Sequence, residues 1–340
     1  MFKLRLKRLW YARQSIRVSA VVCALTSLAG CTGVQSALDP AGREASRIAE
    51  IFWWMTGGAL VVWIGVIILA LWAARARAEA HNLVRTRFMI VGGGAVVPTV
   101  VLTVLLIYGL APIPALHAPA PAGSLKIAVT GEQWWWRVRY LRPNAEPVVL
   151  ANEIRLPLGE PVEFQLDSPD VIHSFWIPSL AGKMDMIPGR VTRLVINATR
   201  TGSFRGACAE YCGESHALMA FPVVVQEKEE FTRWLTAQAQ PAQIPAEAGA
   251  ALGQELFLAN GCGACHTVRG TPAAGVIGPD LTHVGSRLSI AAGTLTNEPE
   301  EFTRWVAHTT VVKPGALMPT FQMLPPEQLR SLSLYLEALK

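Results

Sequence analysis

Charged side chains are scarce in this sequence of 340 residues. Asp, Glu, Lys and Arg make up 16% of the chain, whereas 51% of its residues are hydrophobic. Soluble globular proteins carry charge on about a quarter of their residues. The composition therefore argues against an ordinary soluble protein and indicates membrane-spanning segments. The length leaves room for two or three domains.

Acidic residues are missing from the first 30 positions, where basic residues are concentrated. The formal net charge of +5 comes from this segment, and the rest of the chain carries a net charge of −1. Without a basic surface elsewhere, the high isoelectric point does not support nucleic-acid binding. The basic residues are Lys3, Arg5, Lys7, Arg8, Arg13 and Arg17.

A short apolar run follows these basic residues and ends in Leu-Ala-Gly-Cys at positions 28–31. A cationic start, a short apolar run and small residues after it are typical of a secretory signal, which we predict for residues 1–30. The ending resembles the lipobox of bacterial lipoproteins, in which the cysteine, here Cys31, becomes the lipidated first residue. The alternatives are an ordinary signal and an uncleaved N-terminal anchor.

Two longer stretches, residues 51–74 and 88–110, contain no charged residue at all. As a helix, each would be about 35 Å long, which is enough to cross a bilayer. The connection between them contains four arginines and one glutamate, and the positive-inside rule places it in the cytoplasm. We therefore predict a transmembrane helix hairpin within residues 44–111, with the rest of the chain on the extracytoplasmic side.

The remaining sequence divides into a β-rich part, a connection and a helical part. Residues 124–226 contain short β-rich runs punctuated by Gly, Pro and Asp, which predicts a small all-β sandwich. Residues 227–249 include a stretch rich in Ala, Gln and Pro without apolar periodicity, which predicts a linker. Residues 250–340 contain three helical segments around a loop-rich middle, which predicts an all-α domain.

Cysteine is also rare, and four of the six cysteines stand in two close pairs. The first pair, Cys208 and Cys212, is followed by His216 and Met219. Sulfur and imidazole ligands favour copper, zinc or iron–sulfur chemistry, and two nearby thiolates can bridge two metal atoms. The alternatives are a disulfide, which is common in exported proteins, and a structural zinc site, which would leave the methionine unused.

The run resembles the CuA-binding loop of cytochrome c oxidase subunit II, whose pattern is C-x-E-x-C-x-x-x-H-x-x-M. The stretches 170–180 and 183–190 also resemble the family, and the first contains its other ligand histidine. The resemblance implies a cupredoxin-like sandwich with a binuclear CuA centre. It also implies that Glu210 binds copper through its backbone carbonyl, and magnesium shared with the catalytic subunit through its carboxylate. The implied side-chain copper ligands are His173, Cys208, Cys212, His216 and Met219.

Three consecutive tryptophans stand at positions 134–136. Because side chains alternate along a strand, all three cannot face one core. The family has Q-W-Y-W at this place, and its first tryptophan lies beside CuA where electrons enter, a role that the resemblance assigns to Trp134. Trp135 replaces the usual tyrosine. The alternative is that all three are packing or membrane-interface aromatics.

The second cysteine pair belongs to the run Cys262-Gly-Ala-Cys265-His266, which is C-x-x-C-H, the attachment motif for c-type haem. Together with Gly-Pro-Asp-Leu at 278–281 and Met318-Pro319, it resembles a class I cytochrome c. The resemblance implies thioether bonds to both cysteines, with His266 and Met318 as axial ligands. It also implies that the carbonyl of Pro279 orients the histidine. Rival sixth ligands are His283, His308 and Met323.

These resemblances imply the subunit II of a haem-copper cytochrome c oxidase with a fused cytochrome c domain (caa3-type), located in the bacterial inner membrane. Electrons would pass from a soluble or membrane cytochrome c, or another reductant, through haem c and CuA to the catalytic subunit I. Subunit III would complete the complex. The alternatives are the CuA subunit of a nitric or nitrous oxide reductase and a stand-alone membrane copper or electron carrier.

Two features depart from the family pattern. The acid that often serves a proton channel at the start of the second span is missing from residues 81–87, so that role is not carried over. The acidic patch that docks soluble cytochromes is not evident either. A tethered haem needs less electrostatic steering, because the linker raises its effective concentration near the copper centre.

Overall fold

The computed structural model describes residues 30–75, 83–116, 118–243, 245 and 247–340. Residues 1–29, which are nearly all of the predicted signal segment, and the middle of the arginine-containing loop lie outside the described residues. The described part begins with Gly30 and Cys31, the last two residues of the lipobox-like run.

Two long apolar helices follow. α1 covers Arg43–Arg75, and a second apolar helix covers Thr86–Leu116. The most apolar windows of the two helices have mean hydropathies of 2.3 and 2.4, and no residue in these windows is buried. Such surfaces are stable only against lipid or another protein, in agreement with the predicted transmembrane hairpin. The second span lies within a run of consecutive helical segments that begins slightly earlier. These segments are α2 (Leu83–Phe88), a π-helical stretch (Met89–Val96), α3 (Val97–Leu110) and α4 (Ile113–Leu116).

α1 begins before the charge-free run because its first turns pack on the extracytoplasmic domain. The carboxylate of Glu44 accepts a hydrogen bond from the backbone N–H of Asn197 at 3.0 Å, and Ala45 and Ala49 are buried. The preceding residues 34–42 are hydrogen-bonded along the same domain. The first span and this domain are therefore joined by packing as well as by the chain.

The sandwich domain consists of two five-stranded sheets. Its strands are β1 (Leu125–Glu132), β2 (Trp135–Arg142), β3 (Ala145–Ala151), β4 (Ile154–Pro157), β5 (Pro161–Asp167), β6 (His173–Trp176), β7 (Met184–Met186), β8 (Thr192–Asn197), β9 (Gly202–Cys208) and β10 (Ala220–Gln226). The sheet orders are β3-β2-β1-β5-β8 and β4-β10-β9-β6-β7. Buried aromatic rings fill the space between the sheets, and Phe175 stacks on Phe221 with ring centroids 5.1 Å apart. The predicted all-β sandwich is confirmed.

The segment predicted as a linker, residues 227–249, begins with a helix, α5 (Lys228–Gln238). Phe231 and Trp234 lie one turn apart on this helix and pack on Tyr140 of the sandwich, with ring centroids 6.2 and 5.4 Å away. Beyond α5, the N–H of Ala242 donates to the carbonyl of Arg269 at 2.9 Å. The connection is therefore held at both ends rather than free along its whole length.

The C-terminal domain is helical, as predicted. Its main helices are α6 (Ala248–Ala259), α7 (Pro299–Ala307) and α9 (Pro326–Ala338), with the short α8 (Thr309–Val312) and a small hairpin of β11 (Ser289–Ile290) and β12 (Leu295–Thr296). α6 and α9 cross closely at Gly253, where a Cβ atom would lie 2.0 Å from the carbonyl oxygen of Ser331. Phe257 and Tyr335 pack edge to face beside this crossing.

Candidate metal centre and haem cavity

One sheet of the sandwich brings all predicted copper ligands together at one end of the domain. Cys208 ends β9, and the chain from Cys208 to Met219, here called the cysteine loop, leads into β10. The N–H of Cys208 donates to the carbonyl of Met219 at 2.9 Å and closes the loop. His173, the first residue of β6, reaches the loop from the neighbouring strand. The site is therefore formed by adjacent strands of one sheet.

The donor atoms fall into two groups, one around each sulfur. Cys208 Sγ lies 3.8 Å from His173 Nδ1 and 3.2 Å from the carbonyl oxygen of Glu210. Cys212 Sγ lies 3.5 Å from His216 Nδ1 and 3.9 Å from Met219 Sδ. The two sulfurs are 3.8 Å apart and form no disulfide. The alternative of a disulfide at this site is therefore wrong.

The two thiols cannot both lose their protons without a cation beside them. A hydrogen bond from Cys212 lowers the pKa of Cys208, and the nearby Cys208 sulfur together with burial raises the pKa of Cys212. Two thiolates at this separation would repel each other, so the pair shares one proton. A bound cation removes the conflict, because both thiolates then face positive charge.

Asp170 orients one predicted ligand, a role that the sequence pattern did not reveal. Its carboxylate lies 2.9 Å from His173 Nε2, on the side of the ring away from Cys208. Burial alone would raise the pKa of Asp170, but hydrogen bonds from the N–H groups of Gln133 and Val171 and from His173 lower it. The aspartate therefore stays ionised and fixes the ring with Nδ1 facing the sulfurs, as carboxylates commonly do for metal-bound histidines.

Trp134 lies between the cysteine loop and the C-terminal domain. Its Nε1–H donates to the carbonyl of Cys212 at 3.0 Å, and its side chain is 8% exposed. On the other side, a Cβ atom at Gly315 would lie 2.6 Å from the indole, so this glycine permits the close contact. Trp136 is fully buried, whereas Trp135 is partly exposed, with Arg137 4.6 Å above its ring. The three side chains therefore do not share one core.

The predicted haem residues line one cavity of the C-terminal domain. Cys262, Cys265 and His266 border it at the end of α6, and Met318 also borders it. His266 Nδ1 lies 2.8 Å from the carbonyl oxygen of Pro279, which leaves Nε2 for a ligand. Burial lowers the pKa of His266 and favours the neutral imidazole that binds metal.

The rival sixth ligands lie elsewhere. Both ring nitrogens of His283 are engaged, Nδ1 with the carbonyl of Lys340 and Nε2 with that of Gln240, each at 3.0 Å. Met323 is 72% exposed. His308 follows α7, and neither it nor Met323 is among the residues that line the cavity. Of the four candidates, only Met318 borders the cavity.

Hydrogen bonds join the two domains around this cavity. Ser215 Oγ donates to the carbonyl of Pro314 at 2.6 Å, and the N–H of Ala220 donates to the carbonyl of Ala292 at 3.0 Å. Residues of the sandwich, including Trp134, also line the cavity. The C-terminal domain is thus docked on the sandwich beside the cysteine loop.

Both of these domains match known protein families. Residues 143–228 match the family described as cytochrome C oxidase subunit II, periplasmic domain, and residues 250–340 match cytochrome c. Cytochrome c oxidase subunit 2 of Alkalihalophilus pseudofirmus is 33% identical over 326 residues, which are 92% of this chain and 94% of the relative. The protein of the same name from a Bacillus species is 34% identical over 251 residues, which are 70% and 69% of the two chains.

A solved structure is also similar to part of the chain. The periplasmic domain of subunit II of the cytochrome oxidase of Bradyrhizobium japonicum shares 31% identity over 36% of this chain and 96% of its own, with a TM-score of 0.33. The two family matches and the nearly full-length relative from Alkalihalophilus pseudofirmus show that this chain belongs to the cytochrome c oxidase subunit II family, in a form that carries a cytochrome c domain.

Proposed function

We propose that this chain accepts electrons at a haem c in its C-terminal domain and delivers them through a binuclear CuA centre to the oxygen-reducing subunit I. Family membership supports the association with a catalytic subunit, and it favours an oxidase over a nitric or nitrous oxide reductase. The observation that carries the proposal is Trp134, because one indole contacts both the cysteine loop and the loop that leads to Met318.

The cysteine loop suits two copper ions by the chemistry of its donors. Cys208 and Cys212 would hold the ions, because two thiolates 3.8 Å apart repel each other and a bound cation would relieve that repulsion. The remaining donors divide evenly, with His173 and the Glu210 carbonyl beside one sulfur and an imidazole and a thioether beside the other. Bound copper would supply a one-electron couple shared by both metals, and a zinc site would use fewer of these donors.

The carboxylate of Glu210 supports the proposed magnesium site. Among the described residues, none makes a hydrogen bond or ion pair with this carboxylate, although the carbonyl of the same residue faces Cys208. Magnesium prefers oxygen ligands and often takes only one or two carboxylates from a protein. The free carboxylate is therefore available for a cation shared with subunit I.

The cavity of the C-terminal domain suits a covalent haem. Cys262 and Cys265 would form thioether bonds, and His266 and Met318 would ligate the iron, a ligand pair that raises the potential of its one-electron couple. Ser289 Oγ is buried without a partner among the described residues, and the half-buried guanidinium of Arg287, which donates to the carbonyl of Asp280, also borders the cavity. A haem propionate would give the hydroxyl an acceptor and the guanidinium a counter-charge.

The proposal places the chain in the bacterial inner membrane with both cofactor domains outside the cytoplasm. Subunit III and an external cytochrome c or other reductant would be further partners. We also propose lipidation of Cys31, which the lipobox-like run supports. Mass spectrometry of the mature chain tests this modification, because an unmodified Cys31 or an intact N-terminus would contradict it.

Analysis of the native complex tests the main proposal. We expect two copper ions and one covalent haem assignable to this chain, together with a haem-copper subunit that purifies with it and consumes oxygen. Metal content, haem staining after denaturing electrophoresis and oxygen uptake are the measurements. A complex that contains this chain but lacks either copper or the haem-copper subunit would refute the function.

A further inference from the structure

Lys313 is a lysine buried between the two domains. Its side chain reaches from the C-terminal domain to the cysteine loop, where Nζ donates to the carbonyl of Leu218 at 2.8 Å, and it also donates to the carbonyl of Ala291 at 3.1 Å. The residue is 3% exposed, and no carboxylate among the described residues forms an ion pair with it. Burial lowers the pKa of this lysine to about 7. Cations buried without an acidic partner are rare in proteins, because desolvation is costly.

The turn that supplies the second carbonyl has an unusual backbone. Ala291, Ala292 and Gly293 have φ values of 52°, 59° and 76°. Alanine seldom adopts this left-handed region, and such residues persist only where surrounding contacts hold them. Here the carbonyl of Ala291 accepts from Lys313, and that of Ala292 accepts from the N–H of Ala220 in the sandwich. The turn is thus held in the conformation that aims both carbonyls at the interface.

Lys313 also stands at the start of the segment that contacts both proposed cofactor sites. In this segment, the methionine loop (Lys313–Met318), Gly315 touches the indole of Trp134, and Met318 borders the haem cavity. The Leu218 carbonyl that Lys313 binds directly precedes Met219, a predicted copper ligand. One side chain therefore connects the backbone beside one site with the backbone beside the other.

We propose that Lys313 is a positioning residue that clamps the methionine loop to the cysteine loop and so keeps the path between haem c and CuA short and constant. The inference rests on the proposed function, since it concerns the gap between those two cofactors. Lys313 also borders the haem cavity, but its amine is engaged by the two carbonyls. Without the clamp the two domains would stay tethered through α5 and the residues after it. The methionine loop would keep the hydrogen bond from Ser215 to Pro314 but lose the two bonds from Lys313, and would be held less firmly against Trp134.

Replacing Lys313 by methionine in the full oxidase complex tests the clamp. Methionine is also long and unbranched but donates no hydrogen bond, so two buried carbonyls lose their donor. After flash reduction of haem c, we expect electron transfer to CuA to be roughly tenfold slower, because small displacements of reacting groups and lost buried hydrogen bonds have effects of this size. We also expect the step to become slower with added viscogen, because domain docking then contributes to it.

The matched control is Lys228→Met, which removes an exposed lysine paired with Glu160 at 2.5 Å. This variant should transfer electrons at the wild-type rate. A Lys313→Met complex with normal copper and haem spectra but a wild-type, viscosity-independent rate would overturn the clamp. If Lys313→Met does not assemble, Lys313→Gln takes its place, because its polar side chain is too short to reach both carbonyls; a wild-type, viscosity-independent rate in that variant would equally overturn the clamp. A wild-type complex without CuA or haem c would instead refute the proposed function.

Discussion

At the scale of single residues, Asp170 shows how a ligand site depends on a side chain that touches no metal. Its carboxylate holds the imidazole of His173 and also accepts the N–H groups of Gln133 and Val171. Asparagine has nearly the same shape, but it carries no charge to stabilise the ring in the required tautomer. We expect Asp170→Asn to weaken copper binding by roughly 10- to 100-fold, the usual effect of losing such a partner.

Competition with a copper chelator, monitored on the purified complex, measures this change. Asp39→Asn serves as the control, because Asp39 forms only a partly exposed ion pair with Arg200 at 3.1 Å. That variant should hold copper like the wild type. If Asp170→Asn retained copper equally well, the orienting role of the aspartate would be ruled out.

A second residue-scale prediction separates the two methionines of the C-terminal domain. Met318 borders the haem cavity, whereas Met323 is exposed. We expect Met318→Leu to remove the methionine-ligated haem spectrum and lower the haem potential, since the thioether ligand raises it. Met323→Leu should change neither property. Visible spectroscopy and potentiometric titration measure both, and the opposite pattern would exchange the roles of the two residues.

The proposed ligand residues were assigned from family motifs, most of which are local in the sequence. Cys208, Cys212 and the residues up to Met219 fall within twelve positions, and the haem cysteines adjoin His266. Asp170 and Lys313 were not assigned roles from the sequence. The partner of Asp170 depends on the rotation of one imidazole, and the partners of Lys313 are backbone carbonyls, which leave no signature in side-chain patterns.

At the scale of elements, short β-rich runs predicted the sandwich and charge-free runs predicted both spans, but contacts between domains set several boundaries. α1 starts at Arg43 because Glu44 and the alanines after it pack on the sandwich. α5 was missed because its apolar face is narrow and is followed by a stretch rich in Ala, Gln and Pro. This helix is stabilised by the packing of Phe231 and Trp234 on Tyr140, and that contact exists only once the sandwich has folded.

The packing of α5 gives an element-scale prediction. Phe231 is 6% exposed within the core of the sandwich domain. We expect Phe231→Ala to lower the free energy of unfolding by about 3–5 kcal/mol, because it removes a large buried ring and leaves a cavity. Denaturant unfolding of the purified complex, followed through the copper absorption, measures the change.

Thr232→Ala is the control for this helix. Thr232 is exposed, and its hydroxyl donates only to the carbonyl of Lys228 within α5. The free energy of unfolding should change by no more than about 0.5 kcal/mol. Equal stability of the two variants would mean that α5 is not anchored through its aromatic face.

At the scale of the whole molecule, the two domains are docked rather than merely joined. The sequence predicted a tether that raises effective concentration, whereas the structure adds hydrogen bonds across the interface from Ser215, Ala220 and Lys313. This explains why an acidic docking patch is not evident in the sequence. A C-terminal domain that is already docked on the sandwich does not need long-range charge attraction to find it.

The enclosure of Trp134 limits the part of the chain that an upstream redox protein can contact. The indole is enclosed by the chain's own methionine loop, so a visiting protein cannot contact it and, under the proposed function, would exchange electrons with the C-terminal domain instead. Changes to the outer surface of that domain could therefore adapt the oxidase to a new donor while the buried relay stayed untouched. The electron donor would thus bind the outer surface of the C-terminal domain, whereas electrons would pass on to the copper centre through its inner face. Mutation can alter these two surfaces independently.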